Sequence, residues 1–197
     1  MSHYFINDEK LNHEIQEIIL SIGKHVIHLD TDRGVFSRNQ LDIGTQILLE
    51  NIDFSLSYQT IIDMGCGYGP IGIYAAKMCP NANVIMADVN ERAVFLASSN
   101  IEKNHVKNAL TKVSFLFDQV KEKADLIITN PPIRAGKQIV FSLYEQAYEN
   151  LNQGGLFYIV IQKKQGAPSS VKKLEETFKN CTIVTKVKGY WVLLAKK

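Results

Sequence analysis

This sequence predicts an α/β domain built on a mostly parallel seven-stranded sheet, and three observations carry the prediction. From about residue 58 onward, short β-branched runs alternate with longer segments whose apolar residues recur at helical spacing. One apolar run leads directly into a glycine-rich turn, the usual entry to a helix in such folds. Near the end, two strand-like runs flank Lys188-Gly189, a turn signal for an antiparallel hairpin that closes the sheet.

The elements follow in order. Strands are expected at 60–64, 83–89, 113–117, 124–130 and 156–162, then in the hairpin at 181–187 and 190–195. Helices are expected at about 70–79, 91–103 and 138–151; Ala93, Leu96, Ala97 and Ile101 illustrate the spacing. Asn152-Gln153-Gly154-Gly155 reads as a turn that stops the last of these helices. Before residue 58 the pattern changes. Residues 7–21 read as a short amphipathic helix, 25–30 as a strand and 42–51 as a second helix. Residues 1–57 are too few for a confident core of their own, so they are expected to cap a core formed by 58–197.

Composition excludes several classes. Of 197 residues, 46% are apolar and 21% charged, which argues against disorder and repeats. MSHYFINDEKLNH has no basic stretch followed by an apolar run, and no apolar run is long enough to span a bilayer, so a cytoplasmic protein is expected. Cys66, Cys79 and Cys181 lack the spacing of a disulfide framework or zinc site, and no metal is expected. The net charge of +2 hides an asymmetry, because residues 151–197 carry nine Lys against two Glu. That segment is either a phosphate-backbone footprint or a solvated lysine-rich face.

The strongest local signal is Asp63-Met64-Gly65-Cys66-Gly67-Tyr68-Gly69-Pro70-Ile71-Gly72, where a strand ends in a glycine turn and a helix begins near Pro70. Glycines admit close backbone approach, and the helix start offers free N–H donors. Gly67, Gly69 and Gly72 match a dinucleotide-binding pattern, with Asp88 at the spacing of a ribose-binding acid. In the competing frame, Asp63-x-Gly65-x-Gly67-x-Gly69, the leading acid suits a ligand with a cationic amino-acid end. The turn alone does not choose.

Asn130-Pro131-Pro132-Ile133 does. It sits at the carboxyl end of an expected buried strand, where open α/β sheets bind ligands. The proline pushes Asn130 to an extended conformation, and Pro131 keeps its carbonyl but has no N–H. The two together form an acceptor pair suited to an NH2 group.

DMGCGYGPIGI with NPPIRAGK resembles the class I S-adenosylmethionine-dependent methyltransferases, more closely the small-subunit rRNA guanine-N2 group. GVFSR with LDIGT, and the late KQGA, resemble the same group. The resemblance implies a Rossmann-like catalytic domain using S-adenosyl-L-methionine and no metal. It assigns Gly65, Gly67 and Gly69 to the methionine part of the cofactor, Asp63 to its amino group and Asp88 to the ribose. Phe115 stands where many relatives carry an adenine-binding acid, so Asp118, the nearest acid, takes that place here. Asn130 and Pro131 would be catalytic, gripping the exocyclic amine, with Pro132, Ile133, Arg134 and Lys137 beside the base. Lys163 and Lys164, with Lys172 and Lys173, would meet RNA phosphates. Phe36, Arg38 and Asp42 are candidates for the cofactor entrance, and Tyr190 and Trp191 read as half-buried sheet residues with base stacking as the alternative.

The expected function is methyl transfer to guanine N2 of 16S rRNA. Adenine N6, a protein glutamine amide, a non-catalytic RNA-binding assembly factor and an NAD-dependent oxidoreductase are the rivals.

Overall fold

The computed structural model describes residues 12–23, 25–38 and 40–197. The chain opens with an antiparallel hairpin, β1 (Gln16–Ile22) and β2 (His25–Thr31), pairing Ile18 with Leu29 and Leu20 with Ile27. The helix expected over residues 7–21 is therefore overturned from residue 12 onward, where 12–15 carry no regular element and 16–21 are strand, and its first part, 7–11, lies outside the described residues. Burial decides the matter: Ile18, Leu20 and Ile22 point inward while Ile19 and Ser21 are exposed, a period of two rather than 3.6.

Helix α1 (Ile43–Glu50) follows, capped by Asp42, whose Oδ2 accepts from the Thr45 N–H at 2.9 Å. The α/β core then runs β3 (Thr60–Met64), α2 (Pro70–Met78), β4 (Asn83–Asp88), α3 (Glu91–Lys103), β5 (Ala109–Val113) and β6 (Ala124–Thr129). It continues with α4 (Lys137–Asn150), β7 (Leu151–Gln162), α5 (Ala167–Phe178), β8 (Thr182–Val187) and β9 (Tyr190–Lys196). Seven strands form one sheet in the order β5-β4-β3-β6-β7-β9-β8, antiparallel only where β9 pairs with β7 and β8.

Two further expectations need correction, and one helix was not expected. The strand placed at 113–117 is Ala109–Val113. As a sheet edge paired only with β4 it needs little apolar content, while Leu116 and Phe117, which suggested a strand, are buried turn residues. Residues 152–155 do not stop a helix as a free turn. They lie within β7, whose register against β6 shifts between Ala124 and Leu126 to absorb the extra residues. Helix α5 was not foreseen, because only one narrow stripe, Ser170, Leu174 and Phe178 with Ala167, faces the core.

Two apolar layers sandwich the sheet. The hairpin and α1, α2 and α3 cover one face through residues such as Leu20, Leu29, Leu48 and Ile73. Helices α4 and α5 cover the other through Leu143, Tyr144, Leu174 and Phe178. Strand order reverses between β3 and β6, so their carboxyl ends open a crevice.

Candidate active site

After β3 the chain turns back under tight restraint. The Gly65 and Cys66 N–H groups both donate to the Ala87 carbonyl, at 2.8 and 3.0 Å. The motif glycines then divide by role. Gly65 and Gly67 have positive φ (76° and 56°), and nothing lies within 4 Å of where a Cβ would sit, so they present bare backbone to open space. At Gly69 a Cβ would come within 2.7 Å of Met86 Cε, and at Gly72 within 2.4 Å of Met86 Cγ. Those two glycines let α2 pack closely on β4.

Two carboxylates flank this turn. Asp88, ending β4, accepts from the Gly67 and Asn90 N–H groups, each at 2.9 Å. Burial pushes its pKa up, against the pull of these amides. Asp63 is fully buried; its Oδ2 accepts from the Gly72 N–H at 2.8 Å, and its Oδ1 has no partner. Burial, with the nearby Asp88 charge adding to it, pushes Asp63 up to about 8.

Across the crevice, Asn130 follows β6. Its Nδ2 donates to Asp42 Oδ2 at 2.9 Å and to Thr45 Oγ1 at 3.0 Å. The Asp42 carboxylate, an acceptor only, identifies the amide nitrogen and leaves Oδ1 as the remaining acceptor. The Pro131 carbonyl accepts from the Ile133 N–H at 2.8 Å and keeps one lone pair.

These groups line one cavity of about 550 Å3. Its wall includes Gly65, Gly67, Asp88, Asn130, Pro131, Pro132, Ile133 and Arg134 from the anticipated set. Gly69 and the fully buried Asp63 are not on that wall. Asp118 is not on it: Ser114 Oγ donates to the Leu116 carbonyl and accepts from the Gln119 N–H, a turn that presents Phe115 to the cavity and Asp118 to solvent. Lys163 and Lys164 are exposed on the short turn between two wall residues, Gln162 and Gln165. Lys137 lies over the Phe141 ring at 5.1 Å, and Lys173 pairs with Glu145, joining α5 to α4. Of the entrance candidates, Phe36 and Asp42 reach the wall, while Arg38 binds Glu14.

Sequence reasoning did not assign Thr45, Gln162 or the orienting role of Asp42. Only LDIGT hinted at the first and last, through its helix-cap pattern. Among the described residues no group of His, Cys, Asp and Glu could hold a metal, and no helix is long and apolar enough to cross a membrane.

A family model, the methyltransferase small domain, matches residues 26–194. The chain belongs to the methyltransferase small-domain family. Within it, the chain is 40% identical to the uncharacterized protein YbxB of Bacillus subtilis, over 99% of this chain and 98% of that one. It is 32% identical to ribosomal RNA large subunit methyltransferase G of Shewanella sp. strain MR-4, over 98% of this chain but 52% of that one. A solved T. thermophilus 16S rRNA N2 guanine methyltransferase, RsmC, in complex with AdoMet and guanosine, superposes with a TM-score of 0.84 at 25% identity. That match covers 93% of this chain and 50% of RsmC. The chain thus spans about half the length of these two rRNA methyltransferases.

Proposed function

We propose that this methyltransferase small-domain protein transfers a methyl group from S-adenosylmethionine to the exocyclic amine of a guanine in ribosomal RNA. The orientation of Asn130 carries the reading. Two acceptors claim its amide hydrogens, which leaves Oδ1 as the acceptor that Asn130 can offer a ligand in the cavity it lines together with Pro131.

The opposite wall fits the cofactor on its own terms. A Cβ at Gly65 or Gly67 would project into open space, so the bare backbone leaves room for a ligand to lie against the turn. Asp88 is fixed by backbone amides and offers its carboxylate to a ribose diol, while the buried Asp63 acts on the turn itself, its Oδ2 accepting from the Gly72 N–H. Phe115 offers an apolar surface where an adenine-binding acid was expected. Bound there, S-adenosylmethionine supplies an electrophilic methyl group.

The chain's own residues would do the rest. A guanine amine is a weak nucleophile because its lone pair is delocalised into the ring. Asn130 Oδ1 and the Pro131 carbonyl each accept one amine N–H, drawing the nitrogen toward a pyramidal shape and turning its lone pair toward the cofactor side. Position and orientation then lower the barrier, and the surplus proton is lost afterwards. Arg134 on the wall and Lys137, Lys163 and Lys164 nearby would hold RNA around a base splayed out of its stack. In this reading residues 58–197 form the cofactor core, and the cap before them contributes Asp42 and Thr45.

The 16S rRNA is the first target to test, on the strength of RsmC. The names of the curated relatives favour 23S rRNA as the second. The test is transfer of labelled methyl groups to rRNA purified from a strain lacking this gene, with the subunits separated. N2-methylguanosine in one rRNA supports the reading. N6-methyladenosine, label on protein or no transfer contradicts it.

A further inference from the structure

Asn130, Gln162 and Tyr190 lie on one face of the sheet. Thr129 pairs with Ile159, so Asn130 falls beside Val160, and Gln162 projects from the same face one pleat further on. Gln162 in turn pairs with Tyr190. With strands about 4.8 Å apart and a rise of about 3.3 Å per residue, the Asn130 and Gln162 Cα atoms stand roughly 8 Å apart. Both side chains line the same cavity.

Gln162 Nε2 donates to Tyr190 Oη at 2.6 Å, and the Tyr190 ring is held against Gly44, where a Cβ would meet it at 2.8 Å. Gln162 Oε1 is buried and has no partner. A buried acceptor left unpaired carries a desolvation cost that a ligand donor would relieve.

We infer that Gln162 Oε1 accepts the N1–H of the target guanine and makes this cavity specific for that base. The inference rests on the proposed function, in which Asn130 and Pro131 hold the two amine hydrogens. With Gln162 the wall becomes a row of acceptors only. Guanine presents three donors along one edge, its 2-amine and N1–H. Adenine and cytosine place a ring acceptor beside their amines, and a glutamine amide places its carbonyl there. Each would set a lone pair against Gln162 Oε1 and leave that oxygen unpaired. The opposite amide orientation, with Nε2 toward the cavity, would reverse the preference.

The test compares guanosine with 2-aminopurine riboside, which keeps the 2-amine but has a ring acceptor at N1. Dissociation constants are measured on the full chain with S-adenosylhomocysteine saturating, so that neither nucleoside occupies the cofactor half. The wild-type protein should bind guanosine roughly tenfold or more tightly than the riboside. Gln162→Met should bring the two within about twofold while leaving S-adenosylhomocysteine affinity unchanged, and Gln162→Glu, which keeps an acceptor, should retain the preference. A full guanosine preference in Gln162→Met, or none in the wild type, overturns the inference. If RNA guanine is methylated all the same, the proposed function survives; if the wild type neither binds guanosine nor methylates RNA, both fall.

Discussion

On the β3–β4 side of the cavity, carboxylates are held by backbone amides: Gly67 and Asn90 N–H donate to Asp88, and Gly72 N–H donates to Asp63. On the β6–β7 side, side-chain amides are held by other side chains: Asp42 and Thr45 accept from Asn130, and Tyr190 accepts from Gln162. The first arrangement sets one carboxylate, Asp88, against a ligand that carries hydroxyls and seals a second, protonated one, Asp63, beneath the turn. The second consumes the amide hydrogens and leaves two neutral oxygens over, as recognition of an N–H-bearing edge requires. Breaking the first wall should cost cofactor affinity; breaking the second should cost turnover or base choice.

The largest separation is expected at Asn130. Asn130→Ala should slow methyl transfer by on the order of 100-fold or more in single turnovers while leaving cofactor affinity nearly intact. Asp88→Ala should do the reverse, weakening S-adenosylmethionine binding by about 1.5–3 kcal/mol in calorimetry, the range of a hydrogen bond to a charged group. Unchanged affinity would remove Asp88 from the site.

Asp63 sharpens the same contrast through pH. Its carboxyl keeps its proton in the folded protein up to about 8, whereas the unfolded chain loses it near the usual value of 3.8. The folded state thus binds more protons across that window, and its stability falls as pH rises from about 4 to 8. Asp63→Asn should remove this fall and stabilise the ligand-free protein at pH 8 by on the order of 1–3 kcal/mol. A thermal melt of the variant no higher than wild type at pH 8 would contradict the burial argument.

The positioning pair gives a smaller effect. Thr45→Val removes one acceptor for Asn130 and should slow transfer about 3- to 10-fold at saturating cofactor and RNA, without altering cofactor affinity. Restoration by Thr45→Ser would separate orientation from loss of shape. Smallest per residue are the rim lysines. Lys163→Ala with Lys164→Ala should flatten the slope of log RNA affinity against log salt by roughly 0.7–0.9 for each lost phosphate contact. An unaltered slope would return both to a solvated face.

The two walls also differ in how far the sequence reveals them. The glycine turn and Asp88 are local: a strand, a turn and the next strand end fall within about 25 residues, and their spacing announces them. Asn130 was legible because proline restricts it whatever surrounds it. Its orientation was not, since Asp42 lies 88 residues away and meets it only once the start of α1 is brought to Asn130 in the fold. Gln162 is a polar residue ending an apolar strand until the sheet register places it above Asn130 and beside Tyr190. Asp118 failed for a related reason. Proximity in sequence suggested an acid on the wall, and the hydrogen bonds of Ser114 set the turn so that Phe115 occupies it. Strand β1 was misread because the period-two pattern of 16–22 competes with a helical spacing over the longer segment.

The central claim is that this cavity methylates a guanine amine in ribosomal RNA. Nucleoside mass spectrometry of rRNA from strains with and without the gene tests it most directly. The account predicts that deletion removes N2-methylguanosine from one rRNA position, and that the wild-type gene restores it while the Asn130→Ala gene does not. Identical N2-methylguanosine content in both strains would contradict it.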